Sequence, residues 1–516
     1  MIDLLTTLAR NAAPHAPLIV DETGTIDAAT LLAGVERATA HLLGGARTLR
    51  GRRIALLAPS RASFLVALFA AFRAGAAVVV LSPLHPVAET RYFCEHARVD
   101  TVVYDPSLTA LAEPLAHDEA GRPRRMVTTT SLRDAIALVD SPPVVLADDA
   151  LVLYTSGTTA KPKGARITHA NLAVQAELLR AAWRWTPEDR LIHALPLHHL
   201  HGLGIALFTA LSAGAGVELH ARFDATRTWE SIAVPRAGLE PREPLLMTVP
   251  TMLMRLLAAF DEADVSTQRR WTAGARTLRL VTSGSAALAS SIAARWATIA
   301  GEPPLERFGM TEIGVGTANH IDGPRTSGIA GFPLDTVELR VVDESGRDVE
   351  DGVEGELLVR GPSVFPGYDD DERATRAAFT DGDPARGFFR TGDSVVMERG
   401  VGMRVRGRLS VDVLKSGGYK ISALEIEEVL RAHPAVADVA VVGIPDAEWG
   451  DLVTAVVVVR MGLTVDEAAV RAFARDRLAA YKVPKRVVFL AALPRNVVGK
   501  VVKPSLVEAL STSPSR

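Results

Sequence analysis

The sequence predicts a large N-terminal α/β region of layered subdomains plus a small β-barrel, followed by a separate α+β domain. Three observations predict it. Short apolar runs at 54–58, 77–81, 101–104, 151–154 and 278–282 recur with helical stretches between them. That alternation is the mark of layered α/β folds with largely parallel sheets. From about residue 330, apolar and polar residues alternate at 337–342 and 355–360 between Asp, Glu and Gly turns, which suits a small antiparallel sheet or barrel. After Gly407 the pattern changes again, which places a boundary between 1–408 and 409–516.

In chain order, 64–72 reads as a buried helix and 76–81 as a strand. Arg73 and Gly75 interrupt this most apolar window, so it is too broken for a membrane span. In the last domain, 423–433 and 465–478 are amphipathic helices, 436–442 and 453–459 are strands, and 511–516 is a disordered tail. A chain of 516 residues needs several packed subdomains, and 48% hydrophobic residues supply their cores. A formal net charge of −3 leaves no electrostatic footprint for nucleic acid. Cys94 is the only cysteine, which excludes an intrachain disulfide and a cysteine-based zinc site. Residues 1–14 carry Asp3 and no continuous apolar core, unlike a signal peptide, so a cytoplasmic protein without a membrane partner is expected.

The chemistry begins at 155–164, Thr-Ser-Gly-Thr-Thr-Ala-Lys-Pro-Lys-Gly, directly after an apolar strand. Small hydroxyl residues and glycine can turn several N–H and O–H groups toward one anion, with lysine as fixed charge. Lysine is scarce: eight of the 57 basic residues, at 161, 163, 415, 420, 482, 485, 500 and 503. Where arginine is the default cation, a retained lysine marks a place that wants a compact point charge.

The order of this loop is not that of a Walker A loop. Together with the motifs that follow it in order, it resembles the phosphate loop of the adenylate-forming superfamily, which includes acyl-CoA synthetases and peptide-synthetase adenylation domains. The resemblance covers most of the chain and implies an ATP-dependent, Mg²⁺-requiring acid–thiol ligase. Carboxylate and ATP would give an acyl-adenylate, and CoA would then displace AMP. Thr155, Ser156, Gly157, Thr158, Thr159 and Lys163 would cradle the phosphates. Ser283-Gly284-Ser285-Ala286 would let adenine lie on the backbone. In Glu306-Arg307-Phe308-Gly309-Met310-Thr311-Glu312, Thr311 would touch the α-phosphate and Glu312 would hold Mg²⁺. Phe308 stands where tyrosine is usual. Asp393 and Arg408 would bind the ribose. Lys415 with Gly417 and Gly418 resembles the thioester-forming loop, and Lys500, in 496–500, the adenylation lysine. The domain hinge would fall at Ser410, where Asp or Lys is commoner, and Ala160 replaces a glycine.

The acid is addressed by 195–204, where His198, His199 and His201 cluster. No cysteine or carboxylate nearby completes a metal ligand set. The resemblance places His199, Leu200, His201, Ser283 and Met310 beside the acyl group, and the run is most like malonyl-CoA synthetases. There the arginine matching Arg255 binds the distal carboxylate. The run 249–257 reads as an apolar helix opening on Pro250, in which Arg255 is expected to be partly buried and to want an anion. Short-chain or aryl acids, or a carrier-protein phosphopantetheine in place of CoA, are the alternatives.

Overall fold

The computed structural model describes residues 3–138, 142–155, 162–235, 238–239, 242–416, 419–446, 448–496 and 499–511. Of the residues named above, 156–161, Gly417, Gly418 and 512–516 lie outside these. Ser511, expected in the disordered tail, instead closes the helix Lys503–Ser511.

Two β-sheets share one core. In the seven-stranded sheet the strands run Gly367–Tyr368, Lys163–Thr168, Asp149–Thr155, Ala77–Val80, Arg53–Leu57, Thr101–Tyr104, Arg125–Thr128. Its inner pairings are parallel, and Asp149–Thr155 turns back antiparallel onto Lys163–Thr168. The nine-stranded sheet is parallel from Leu305–Met310 through Leu280–Ser283, Glu243–Thr248, Asp189–His193 and Gly216–Leu219 to Pro17–Asp21, with antiparallel strands at both edges. Parallel strands need crossover connections, and these helices supply the apolar faces that fill the space between sheets. Ala62–Ala74 is the clearest case. Nine of its residues, Phe64 to Ala74, are buried, and all but Ala74 lie in the core shared with strands of both sheets. Its length and burial explain the apolar window. Among the described residues no helix is long and apolar enough to cross a membrane.

The small β unit is a four-stranded antiparallel sheet of Glu338–Val342, Glu354–Arg360, Phe389–Glu398 and Gly402–Arg408. Beyond it lies the α+β region. The hairpin Val413–Ser416/Tyr419–Ser422 joins Gly450–Val459, which pairs antiparallel with Val436–Asp446 and parallel with Arg486–Phe489. Helices Ala423–Arg431 and Glu467–Arg475 close one face over a core of their own, and Lys503–Ser511 closes the other.

Candidate active site

In the nine-stranded sheet the parallel strands end together at one edge, where open α/β sheets place their ligands. Leu280–Ser283 ends on Ser283, which is 1% exposed and whose Oγ has no hydrogen-bond partner. Gly284 follows. A Cβ there would lie 2.5 Å from Nε of Arg307, so only glycine lets the guanidinium lie against this turn. Ser285 adopts φ +69°, a costly backbone for a residue other than glycine, and its hydroxyl meets His201 Nδ1 at 3.2 Å.

Arg307 sits on the adjacent strand Leu305–Met310 and is 5% exposed. Its Nε and Nη2 are buried without a hydrogen-bond partner, and burial pulls its pKa down to about 10. A buried guanidinium with free donors is costly unless an anion completes it. The neighbouring imidazoles cannot compete for that anion, because they are neutral. Burial holds His199 down at about 4 and His198 at about 2, and it pushes His201 well below the usual histidine range. His201 opens a π-helical segment, His201–Leu207, buried throughout, and such segments recur at functional sites. Leu200 is 6% exposed and fills the space over Gly204, where a Cβ would stand 2.6 Å from its Cδ1. Met310 is half-buried against the same core as Phe308.

Glu312 is buried, and burial raises its pKa although Tyr368 donates its hydroxyl to Oε1 at 3.1 Å. Lys163 lies 5.1 Å over the Tyr368 ring and favours the ionised carboxylate. Lys163 pairs across the sheet with Thr155. Among the described residues no group of three or more His, Cys, Asp or Glu is poised to hold a metal. One buried carboxylate suits a cation that takes its other ligands from phosphates and water, as Mg²⁺ does.

Asp393 and Arg408 face each other across paired strands, with Arg408 Nε 3.0 Å from Asp393 Oδ1. Oδ2 of Asp393 is buried and unpartnered, and burial raises this acid to about 6 in spite of Arg408. If that oxygen accepts from ribose, ATP binding weakens as the pH falls through about 6, because the acid gains a proton and loses an acceptor. The expected result is an ATP KM that rises below that pH in the wild type and shows no such step in Asp393→Asn. A step retained in the variant would assign it elsewhere.

Lys500 reaches this centre from the C-terminal region. Gly499 stands against Thr251, with 3.2 Å from an added Cβ to Thr251 Oγ1. Lys500 is solvent-accessible along the cleft, yet surrounding protein lowers its pKa, with Arg408 adding to the effect and Asp393 opposing it. The site therefore joins Ser283 and Arg307 of the nine-stranded sheet, Glu312 just beyond it, Asp393 and Arg408 of the four-stranded sheet, and Lys500 of the C-terminal region. Lys415 is exposed on its hairpin, its backbone N–H bound to Asp451, and does not join them.

Arg255 departs from expectation. It is exposed, with its guanidinium carbon 5.9 Å from the Phe223 ring centroid. In Pro250–Glu262 the inward face is taken by Leu253, Leu256, Leu257 and Phe260, so position 255 turns outward, one helical turn below Thr251. The residue that sequence reasoning underrated is Arg307, placed only with the nucleotide motif. The signal available was a cation between two strand residues beside glycine.

Residues 8–369 match the AMP-binding enzyme family, and 425–500 match the AMP-binding enzyme C-terminal domain. The chain belongs to the AMP-binding enzyme family. It is 38% identical to the mitochondrial malonate–CoA ligase ACSF3 of Bos taurus over 90% of this chain and 82% of that protein. ATP-bound MatB from Rhodopseudomonas palustris is 34% identical, with a TM-score of 0.88 and 99% of each chain covered. A malonyl-CoA ligase ternary product complex with methylmalonyl-CoA and AMP bound is 32% identical, covers 95% of this chain and 100% of its own, and gives 0.67.

Proposed function

We propose that this AMP-forming acyl-CoA synthetase joins malonate, or a 2-substituted malonate, to CoA at the expense of ATP. One observation carries the acid: the buried, unpartnered donors of Arg307 beside Ser283 and Gly284 call for a second carboxylate. The malonate–CoA ligases among its relatives support the same reading.

In the first half-reaction the substrate carboxylate attacks the α-phosphate, the bond to the β-phosphate breaks, and pyrophosphate leaves. Lys500 balances the charge that develops between them, and Thr311 contacts the same phosphate. His199, neutral at working pH, closes the acyl side without adding charge. Asp393 and Arg408 hold the ribose, Ser283 to Ala286 the adenine, and the 155–163 segment the phosphates. Glu312 would hold Mg²⁺, which would screen the phosphate charge. No covalent enzyme nucleophile is required. Positioning and electrostatics suffice.

The mobile domain, taken as 409–516, then turns about Ser410 and brings Lys415 with Gly417 and Gly418 to the site for thioester formation. What supports this is the better superposition on an ATP-bound relative than on a CoA-product complex at nearly equal identity. Cytoplasmic placement goes with this reading, whereas the Bos taurus relative is named as mitochondrial.

The test is ATP–pyrophosphate exchange across malonate, methylmalonate, acetate, short fatty acids and aryl acids, followed by transfer to free CoA or to a carrier protein. Malonate should lead the panel and CoA should accept. Exchange led by acetate or an aryl acid would remove the assignment. Arg255 stays in the proposal as a residue of the cleft mouth. Arg255→Ala is expected to raise the malonate KM more than the ATP KM, and less than loss of Arg307 does, because an exposed pair is screened by solvent. An unchanged malonate KM would take it out of the path.

A further inference from the structure

Three lysines, Lys482, Lys485 and Lys503, lie outside both the 155–164 loop and the two C-terminal loops, and the fold gives each a partner. Lys482 pairs with Glu425 at 2.6 Å, and Lys485 lies 4.2 Å over the Trp449 ring. Lys503 is different because of where its partners lead. It opens the helix Lys503–Ser511 three residues after Lys500 and is 8% exposed. Its Nζ stands 2.5 Å from Asp412 Oδ1 and 2.6 Å from Glu427 Oε1. Burial opposes the ammonium, but the Glu427 and Asp412 carboxylates outweigh it and raise its pKa. A compact ammonium with rotatable donors fits two oxygens that approach from different directions.

Both carboxylates continue the network. Glu427 Oε1 accepts the Val441 N–H at 2.8 Å. Asp412 Oδ2 accepts the Arg408 N–H at 3.0 Å, and the Asp412 and Val411 N–H groups return to the Arg408 carbonyl at 2.8 and 3.2 Å. This closes the turn 408–412, which contains the expected hinge residue Ser410. At the other end, the hairpin carrying Lys500 is held by Asn496 N–H to Lys500 O at 2.9 Å, Lys500 N–H to Asn496 Oδ1 at 2.9 Å, and Val502 N–H to Pro494 O at 2.9 Å. A continuous path therefore runs from Asp393 through Arg408 and Asp412 to Lys503, at the base of the Lys500 hairpin. Without the ammonium, two largely buried carboxylates would stand within one ammonium's reach of each other, and the turn and hairpin would lose their common tie.

We propose that Lys503 is a positioning residue. With Asp412 it clasps the 408–412 turn to the base of the Lys500 hairpin, so that Lys500 enters the site in register with Arg408 and Asp393. This rests on the reading of Lys500 as the adenylation lysine.

The experiment compares wild type, Lys503→Met, Lys503→Arg, Asp412→Asn and the double variant Lys503→Met/Asp412→Asn. Each is assayed by ATP–pyrophosphate exchange and by CoA transfer from preformed acyl-adenylate, with melting temperatures recorded. Exchange uses malonate or, should malonate fail, the panel acid that supports it, so failure of the substrate assignment stays separate from failure of the clasp. Lys503→Met is expected to lower the kcat of exchange by about 10- to 100-fold, the effect of a small misplacement of a reacting group, with the ATP KM little changed. CoA transfer should stay near wild type. Lys503→Arg should recover part of the loss, and the double variant should be no worse than the worse single one, since both break one path. Near-normal exchange in Lys503→Met, or equal loss in both half-reactions, overturns the proposal. Should Lys503→Met fail to fold, the nearly isosteric Asp412→Asn is held to the same two outcomes.

Discussion

Lys500→Ala is expected to abolish adenylate formation while sparing thioester formation from a preformed adenylate. Lys500 reaches Asp393, Arg408, Arg307 and Glu312, and it comes from the C-terminal region. A positive charge placed where negative charge develops, inside a crowded cleft, contributes far more than in water. Losing one such donor typically costs about 100- to 1000-fold in turnover. On the proposed assignment thioester formation uses the other C-terminal loop, so it should be little affected. The measurement is malonate-dependent ATP–pyrophosphate exchange beside CoA transfer from synthetic adenylate. Equal loss in both would contradict the assignment of the two loops to separate half-reactions.

The second large effect is expected at Arg307. Replacing it by Met keeps the apolar stem that packs against Gly284 and removes the charge. Hydrogen bonds to charged groups are worth about 1.5–3 kcal/mol, so the malonate KM should rise by about 10- to 150-fold, with the ATP KM little altered. Acetate has no second carboxylate to lose, so the preference for malonate over acetate should shrink by a similar factor. An unchanged malonate KM would place the second carboxylate elsewhere. A parallel rise for ATP would return Arg307 to the nucleotide site, where the motif alone put it.

These two residues show how far the site was legible. Lys500 stands in a loop whose form is unusual enough to be read directly, and lysine scarcity marked it a second time. Arg307 was visible as a letter between Glu306 and Phe308, but its burial, its free donors and the missing Cβ of Gly284 arise from two strands meeting in register. Arg255 failed in the opposite way. Its apolar neighbours suggested burial, yet a helix buries one face, and 255 falls on the other. Lys503 has no role legible in the sequence, because Asp412 and Glu427 are far from it along the chain and close only after folding.

By itself the sequence determined the layered α/β architecture, the separate α+β region and the membership of the adenylate-forming family. Strand and helix periodicity are local, and the motifs are short runs whose chemistry depends on residue type and spacing. The tertiary structure decided which charges are buried and which of them are left without a partner. It turned Arg255 outward, turned Arg307 inward, and tied Lys503 to the 408–412 turn. Burial and charge pairing depend on which distant strands and helices meet, so no window of sequence contains them.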